Sequence, residues 1–153
     1  MQVREARESD VQTIVSFNRL LAEETEGRAP DRDVLTRGVE RGLGRPELCR
    51  YWLAELGGAI AGQAMVTYEW SDWRDGMFWW LQSVYVVKEA RGRGVFRALY
   101  THIAESANAD PGVCGLRLYV EAENEGARRV YQRLGMRETS YHVLEHDWSD
   151  AFG

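Results

Sequence analysis

The chain has few of the residues that would cross-link it or carry it into a membrane. Only two of its 153 residues are cysteines, Cys49 and Cys114. A chain of this length can bury its own core, so the pair predicts two thiols in a reducing, cytoplasmic compartment rather than a disulfide framework. No apolar run reaches the roughly 18 residues of a transmembrane helix. The polar residues 1–10 lack the pattern of a secretion signal.

Positive charge is also in deficit. The sequence has 19 Lys and Arg against 24 Asp and Glu, a formal net charge of -5. This balance argues against nucleic acid or an anionic membrane as a partner, and it is compatible with a cationic small-molecule substrate. The remaining composition is that of an ordinary globular chain, so we expect one domain over residues 1–153.

Prolines are scarce as well, and all three fall between periodic segments. The predicted elements are a strand over residues 2–6, helices over 9–26 and 31–43, strands over 48–56, 59–70 and 77–88, a helix over 94–107, a strand over 115–121, a helix over 125–134, and one or two strands over 136–148. This order predicts a mixed α/β (α+β) fold, with a central mixed sheet of six to seven strands flanked by about four helices.

Three local signals refine this prediction. Ser9 followed by Gln12 indicates a capping box for the first helix. The dipeptide Gly57-Gly58 between two apolar runs indicates a hairpin. The run over 77–88 is apolar on both faces, which is typical of a central strand. Strict alternation puts Phe78, Trp80, Val84 and Val86 on one face, and Trp79, Leu81, Tyr85 and Val87 on the other.

Residues 84–99, VYVVKEARGRGVFRAL, predict an anion site. A buried strand leads into a loop with two glycines and then directly into a helix, whose first N–H groups lack partners. Gly92 and Gly94 allow positive φ and close approach of the backbone, and Arg91 and Arg93 can bind phosphate oxygens. The dinucleotide fingerprint and the Walker pattern are both absent. Taken alone, the segment is equally compatible with a plain tight turn.

Residues 116–136, LRLYVEAENEGARRVYQRLGM, carry the second pattern. Asn124 and Tyr131 are seven residues apart, which places both along one edge of a short helix. The amide could pair with an extended ligand, and the phenol could donate a proton to a leaving group. Taken alone, Asn124 could equally be an N-cap and Tyr131 a core residue.

Together the two segments resemble the GNAT superfamily of acyl-CoA N-acyltransferases, and the order of elements is similar over almost the whole chain. The first resembles that family's phosphate motif, Arg/Gln-x-x-Gly-x-Gly/Ala. The second resembles its motif Asn-x-x-Ala-x-x-x-Tyr-x-x-x-Gly-Phe/Met, here Asn124, Ala127, Tyr131, Gly135 and Met136. Phe96 departs from the pattern, since the family usually has Gly or Ala there. Its ring either shifts the phosphates or faces the core.

The resemblance implies acetyl-CoA as co-substrate, with its pantetheine arm paired along Val84, Tyr85 and Val86. Its pyrophosphate would lie on the turn made by Arg91, Gly92, Arg93, Gly94, Val95, Phe96 and Arg97. Asn124 would contact the pantetheine. Tyr131 would lie by the thiol and act as general acid while an amine attacks the thioester directly. No metal is expected, because His102, His142 and His146 lack the spacing of a metal site.

The acceptor side is less defined. Glu69 and Glu121 are the first candidates for the general base, ahead of Glu24, and each could equally be a solvated carboxylate. Trp70, Trp73, Trp79 and Trp80, with nearby acidic residues, could form a wall for a small cationic amine. They could equally serve sheet packing or the interface of a homodimer. The alternatives are a catalytically inactive CoA-binding module of the same fold and a different nucleotide-binding α/β protein.

Overall fold

The computed structural model describes residues 1–152 of the chain. This part contains four α-helices and five β-strands, joined by loops and short 3₁₀ turns. In chain order they are β1 (Gln2–Glu5), α1 (Val11–Glu26), α2 (Arg32–Leu43), β2 (Arg50–Leu56), β3 (Ala59–Ser71), β4 (Gly76–Val86), α3 (Val95–Ala109), β5 (Val113–Leu118) and α4 (Glu125–Arg133). The strands form one mixed sheet in the order β1-β2-β3-β4-β5, antiparallel except for the parallel pair β4 and β5.

Helices cover both faces of this sheet. On one face, Trp52, Val66 and Leu81 pack against α3 through Val95, Leu99 and Ile103. On the other face, α1 and α2 cover β2 in a second cluster of Ile14, Val15, Val39, Tyr51 and Leu53. No helix within residues 1–152 has both the length and the apolar content to cross a membrane.

The hairpin predicted at Gly57-Gly58 is confirmed. Both glycines have positive φ, 62° and 83°, and the strands close around them with Leu56 opposite Ala59. Two consecutive positive φ values are the requirement of a two-residue hairpin turn whose twist matches the strands. Local turn chemistry therefore sets the register of β2 and β3 next to the turn, and an irregularity between Ala54 and Glu55 shifts it by one residue farther along.

The capping box predicted from Ser9 and Gln12 is wrong. A 3₁₀ turn over Glu8–Asp10 precedes α1, so the N-cap of α1 is Asp10 rather than Ser9, and Asp10 makes no side-chain cap hydrogen bond to α1. Its carboxylate, almost fully buried, accepts the N–H of Arg7 at 2.7 Å and two bonds from the Arg4 guanidinium at 2.9 and 3.1 Å. The Arg4 bonds, more than the Arg7 N–H, hold the pKa of Asp10 below its usual range.

Strict alternation along β4 is also wrong, because the strand contains a bulge. Gln82 pairs with Met65 and Tyr85 with Gln63, so Ser83 and Val84 together oppose the single residue Ala64. Ser83 has a φ of 50°. Beyond the bulge, Val84 and Val86 pack in the α3 cluster, whereas the Tyr85 ring lies 5.3 Å from Phe17 of α1. An extra residue in a strand reverses the facing of every side chain after it.

The sheet has five strands rather than six or seven. The predicted strands over 136–148 are not formed, and every residue from 137 to 150 is exposed. We refer to residues 137–150 as the C-terminal arm. The strand predicted over 115–121 runs from Val113 to Leu118, because its pairing with β4 stops there. A strand-like pattern in the sequence therefore does not by itself produce a strand, because pairing with a neighbouring strand is also required.

Gly62 sets how closely α3 approaches the sheet, and its substitution provides a test. A Cβ there would lie 2.8 Å from Val95 Cγ1 and 2.9 Å from the backbone oxygen of Tyr85. We expect Gly62→Ala to lower the free energy of unfolding by about 1–3 kcal/mol, because α3 or β4 must move. Gly38→Ala in α2, where a Cβ would meet nothing within 4 Å, is the control. It should stabilise by up to about 1 kcal/mol. Equal urea midpoints for the two variants would contradict this account.

Candidate active site

The site begins where β4 and β5 separate. Their parallel pairing runs from Met77–Val113 to Leu81–Leu118, and β4 then continues alone to Val86. On that side, residues 82–86 have no strand neighbour within residues 1–152. Separation of two parallel strands opens a crevice at their carboxyl ends, a location where α/β sheets bind ligands.

The glycine loop lies at the end of β4 and has the conformation that its sequence indicates. Gly92 and Gly94 have φ values of 75° and 82°, and a Cβ at either would meet nothing within 4 Å. The first helical N–H of α3 to find a backbone acceptor is that of Ala98, at 3.0 Å from Gly94 O. The N–H groups of residues 95–97 precede it and lack an intrahelical acceptor. The loop therefore presents backbone N–H donors close to the open space next to Gly92 and Gly94.

The arginines of this loop have different environments. Arg91 donates to both carboxylate oxygens of Glu24, at 2.8 and 3.1 Å, and to the carbonyl of Val86 at 3.0 Å. Arg91 thus ties the loop to α1 and β4, and its predicted role in binding phosphate oxygens stays a prediction. Arg93 and Arg97 form no ion pair within residues 1–152. They are the cations of the loop available to a ligand.

The two sequence segments meet through Phe96 and Tyr131. Their rings pack edge to face with centroids 5.7 Å apart, and Phe96 also lies 6.1 Å from Tyr100. Phe96 therefore faces the core, the second of its two expected orientations. Burial of Tyr131 raises the pKa of its phenol. The first turn of α3 and the helix α4 are thereby held together next to the open end of β4.

Asn124 is the N-cap of α4. Its Oδ1 accepts the N–H of Ala127 at 3.1 Å, and the side chain is exposed. The structure therefore shows Asn124 as an N-cap, which is one of the two roles expected for it from the sequence. The side-chain NH₂ group makes no hydrogen bond within residues 1–152, so it remains a donor for a ligand.

A groove of about 260 Å³ opens on the sheet face opposite α3. It is lined by Thr67, Tyr68, Glu69, Trp80, Gln82 and Tyr119. Trp80 and Tyr119 lie with ring centroids 4.4 Å apart, and Gln82 donates to the Thr67 hydroxyl at 2.6 Å. The Glu69 carboxylate forms an ion pair with Arg117, whose guanidinium lies 3.8 Å from the Phe78 ring centre. Of these residues only Glu69 and Trp80 were predicted from the sequence, although the alternation of Gln82 with Trp80 along β4 is a signal that could have identified Gln82.

The three candidate bases lie in different places. Glu69 is in the groove. Glu121 is not at the end of a strand; it is exposed in the turn after β5, where its backbone oxygen accepts the N–H of Asn124 at 3.0 Å. Glu24 is held by Arg91, with Lys88 at 3.8 Å, so it supports the loop rather than the acceptor side.

The four tryptophans do not form one wall. Trp79 is buried and packs against Trp52 and Tyr68 beneath α3, and Trp80 lies in the groove. Trp70 and Trp73 project into solvent near the turn between β3 and β4, with 58% and 84% of their surface exposed. Of the four, only Trp80 lines the groove.

The histidines are also dispersed. His102 lies on α3, whereas His142 and His146 are in the C-terminal arm, where His146 stacks on Trp148 with centroids 4.5 Å apart. Within residues 1–152 no three His, Cys, Asp or Glu side chains are grouped so as to hold a metal ion.

Comparison with known proteins agrees with this geometry. Residues 14–136 match the model of the acetyltransferase (GNAT) family. The thialysine N-epsilon-acetyltransferase of Bos taurus is 28% identical over 148 residues, covering 90% of this chain and 85% of that protein. The crystal structure of a possible acetyltransferase from Clostridium difficile 630 is 44% identical, with a TM-score of 0.88 over 95% of this chain and 96% of that one.

A third likeness concerns the fold alone, because its identity is only 20%. It is the crystal structure of a predicted acetyltransferase from Clostridium acetobutylicum with acetyl-CoA, with a TM-score of 0.76 over 95% of each chain. The family match spans the end of β4, the glycine loop, α3 and α4, the elements that build the site. The chain therefore belongs to the acetyltransferase (GNAT) family.

Proposed function

We propose that the protein transfers an acetyl group from acetyl-CoA to the primary amine of a small cationic acceptor, by direct attack with Tyr131 as general acid. The observation that carries this proposal is the contact between Phe96 and Tyr131. In this contact the half-buried Tyr131 ring lies beside the start of α3, whose first N–H groups have no intrahelical acceptor. This arrangement supports an anion-binding turn and a proton donor next to each other at the open end of β4.

The residues of the loop fit the phosphates of acetyl-CoA. Backbone N–H groups at a helix start, reinforced by the helix dipole, are suited to a pyrophosphate. Arg93 and Arg97, which have no ion-pair partner within residues 1–152, can add charge-assisted bonds. Bound there, acetyl-CoA supplies the acetyl group as a reactive thioester. Along β4, Val84 and Tyr85 can pair their backbone with its pantetheine arm, whereas the Val86 carbonyl already accepts from Arg91.

Tyr131 is suited to protonate the departing thiolate. Its pKa is raised by burial, so the phenol keeps its proton throughout the neutral range. At neutral pH the phenol is therefore in the protonated form that a general acid requires.

Our assignment of the base to Glu69 or Glu121 rests on their closeness to β4 and β5. An acceptor amine with a pKa of about 10.4 must lose a proton before it attacks.

The groove supports a cationic acceptor. Trp80 and Tyr119 offer aromatic faces that attract an ammonium group, and Glu69 adds a carboxylate. The Bos taurus relative is named for acetylation at an N-epsilon position, which is consistent with an amine acceptor. Arg117 neutralises part of the charge on Glu69, so the aromatic pair carries more of the recognition.

Binding of acetyl-CoA provides the first test. We expect acetyl-CoA, but neither ATP nor NAD alone, to raise the melting temperature, because a ligand that binds only the folded state stabilises it. Arg93→Ala with Arg97→Ala should weaken acetyl-CoA binding by about 10- to 100-fold, from the loss of charged hydrogen bonds. Arg45→Ala, an exposed arginine paired with Glu47, is the control. Stabilisation by ATP or NAD alone would overturn the proposal.

Tyr131→Phe tests the acid. We expect kcat to fall by about 100-fold or more, since a positioned acid contributes on that scale, while the dissociation constant of acetyl-CoA stays within about twofold. The wild-type rate should not decline through loss of this acid until the pH exceeds about 10, because burial raises the pKa. Tyr100→Phe, a buried tyrosine on the other side of Phe96, is the matched control.

The Tyr131→Phe measurement and a panel of acceptor amines together separate an enzyme from an inactive binding module. If Tyr131→Phe turns over as fast as wild type, Tyr131 is a packing residue and the acid assignment is wrong. If wild type binds acetyl-CoA but no amine in a broad panel releases free thiol, the inactive CoA-binding alternative holds.

Glu69→Gln tests the cationic acceptor. We expect KM for a diamine acceptor to rise by about 3- to 10-fold, a modest change because solvent screens the partly exposed carboxylate. The KM of acetyl-CoA should not change. Glu47→Gln, a glutamate also paired with an arginine but outside the groove, is the control. Acylation of neutral or anionic amines alone would contradict the assignment, whereas a fall in kcat at constant KM would identify Glu69 as the base.

A further inference from the structure

We propose that the side-chain amide of Gln82 binds the attacking amine and makes the site selective for primary over secondary amines. Its oxygen accepts an N–H of the acceptor, and Thr67 holds the amide in that orientation. The inference rests on the proposed function, because it concerns how the acceptor binds in the groove. Neither residue was predicted from the sequence to have a role.

Gln82 lies at the point where the crevice opens. Leu81 is the last residue of β4 that pairs with β5, opposite Leu118, and the bulge begins at Ser83. Leu81 packs in the α3 cluster, so alternation directs Gln82 to the opposite face of the sheet, where it lines the groove. The side chain therefore borders both the acceptor groove and the stretch of β4 that we assign to the pantetheine arm.

A hydrogen bond fixes which end of the amide is free. Gln82 Nε2 donates to the Thr67 hydroxyl of β3 at 2.6 Å, whereas Oε1 has no hydrogen-bond partner within residues 1–152. A planar amide that is bound through its nitrogen keeps its oxygen as a free acceptor. Both side chains are half-buried, which restricts the rotamers open to them. The β4 end of the groove thus contains an oriented, uncharged oxygen.

The number of hydrogens on the amine decides which acceptors this oxygen can bind throughout the reaction. A neutral primary amine attacks the thioester carbon, the C–N bond forms, the C–S bond breaks, and the thiolate takes a proton from Tyr131. The nitrogen, positively charged after attack, releases one proton to the base and keeps one N–H in the amide product. That N–H can stay bonded to Gln82 Oε1. A secondary amine has a single N–H, which must go to the base.

This hydrogen bond strengthens as the reaction proceeds. The amine nitrogen gains positive charge as its lone pair enters the C–N bond, and hydrogen bonds from charged donors are stronger than neutral ones. An interaction that is stronger in the transition state than in the ground state raises kcat. Trp80 and Tyr119 do not discriminate in this way, because an aromatic face also attracts methylated ammonium groups.

Gln82→Leu is the decisive variant, because leucine has no hydrogen-bond acceptor. The acceptors are a diamine and its N,N′-dimethyl counterpart. We expect wild type to prefer the primary amine by at least about tenfold in kcat/KM. Gln82→Leu should lower kcat for the primary amine by about 10- to 100-fold and bring the two acceptors within about threefold of each other. The dissociation constant of acetyl-CoA and the melting temperature should stay near wild type.

Thr67 is tested as a positioning residue. Thr67→Val replaces the hydroxyl by a methyl group, and we expect it to lower kcat by about 3- to 10-fold, with rescue by Thr67→Ser. Combined with Gln82→Leu it should cause no further loss, because residues that act through one contact are not additive. Gln12→Leu is the matched control, since Gln12 accepts a hydrogen bond from Arg32 outside the groove.

Gln82→Glu distinguishes the oxygen from the NH₂ group, because it keeps an oxygen at the same place. It should keep the preference for the primary amine. A loss of that preference as large as in Gln82→Leu overturns the inference, since the contact is then the NH₂ group or packing. If wild type acetylates primary amines but Gln82→Leu keeps the full preference, the inference fails alone. If wild type acetylates no amine, the proposed function fails as well.

Discussion

The buried side-chain amide of Gln63 holds the irregular part of β4 on which the site depends. Gln63 is fully buried and donates to the Ser83 carbonyl at 3.0 Å and to Asn18 Oδ1 at 2.8 Å. Ser83 has positive φ, a conformation that costs about 1–3 kcal/mol unless its surroundings enforce it. The bulge that results turns Val84 and Val86 toward α3 and accompanies the separation of β4 from β5. One side chain thus links α1, β3 and β4 at the base of the crevice.

The loop after β4 contains one arginine that is paired within the protein and two that form no ion pair within residues 1–152. Arg91 is neutralised by Glu24 of α1 and also bonds the Val86 carbonyl, so it orders the loop. Arg93 and Arg97 stay at the surface beside the start of α3. Because the loop is already ordered by the Arg91 contacts, binding of a polyanion requires less loss of conformational freedom. Arg91 and Arg93 are only two positions apart, yet Arg91 is paired within the protein whereas Arg93 is exposed.

Phe96 shows how the fold accommodates a departure from a family pattern. A ring where the family usually has Gly or Ala is placed between Tyr100 and Tyr131, away from the open space above Gly92 and Gly94. The substitution therefore adds an aromatic contact between α3 and α4 without filling the loop. It also buries part of Tyr131, which raises the pKa of the residue to which we assign proton transfer.

Local rules were sufficient for much of the fold and for the glycine loop. The Gly57-Gly58 hairpin, the helices and the positive φ of Gly92 and Gly94 follow from turn chemistry and periodicity within a few residues. The bulge at Ser83, the pairing of Arg91 with Glu24 and the unpaired arm could not be predicted. Each depends on a partner, or on the lack of one, in a distant segment. The sequence by itself therefore determined the elements and the residue types of the site, and only the tertiary structure decided which side chains meet, because long-range contacts are set by packing.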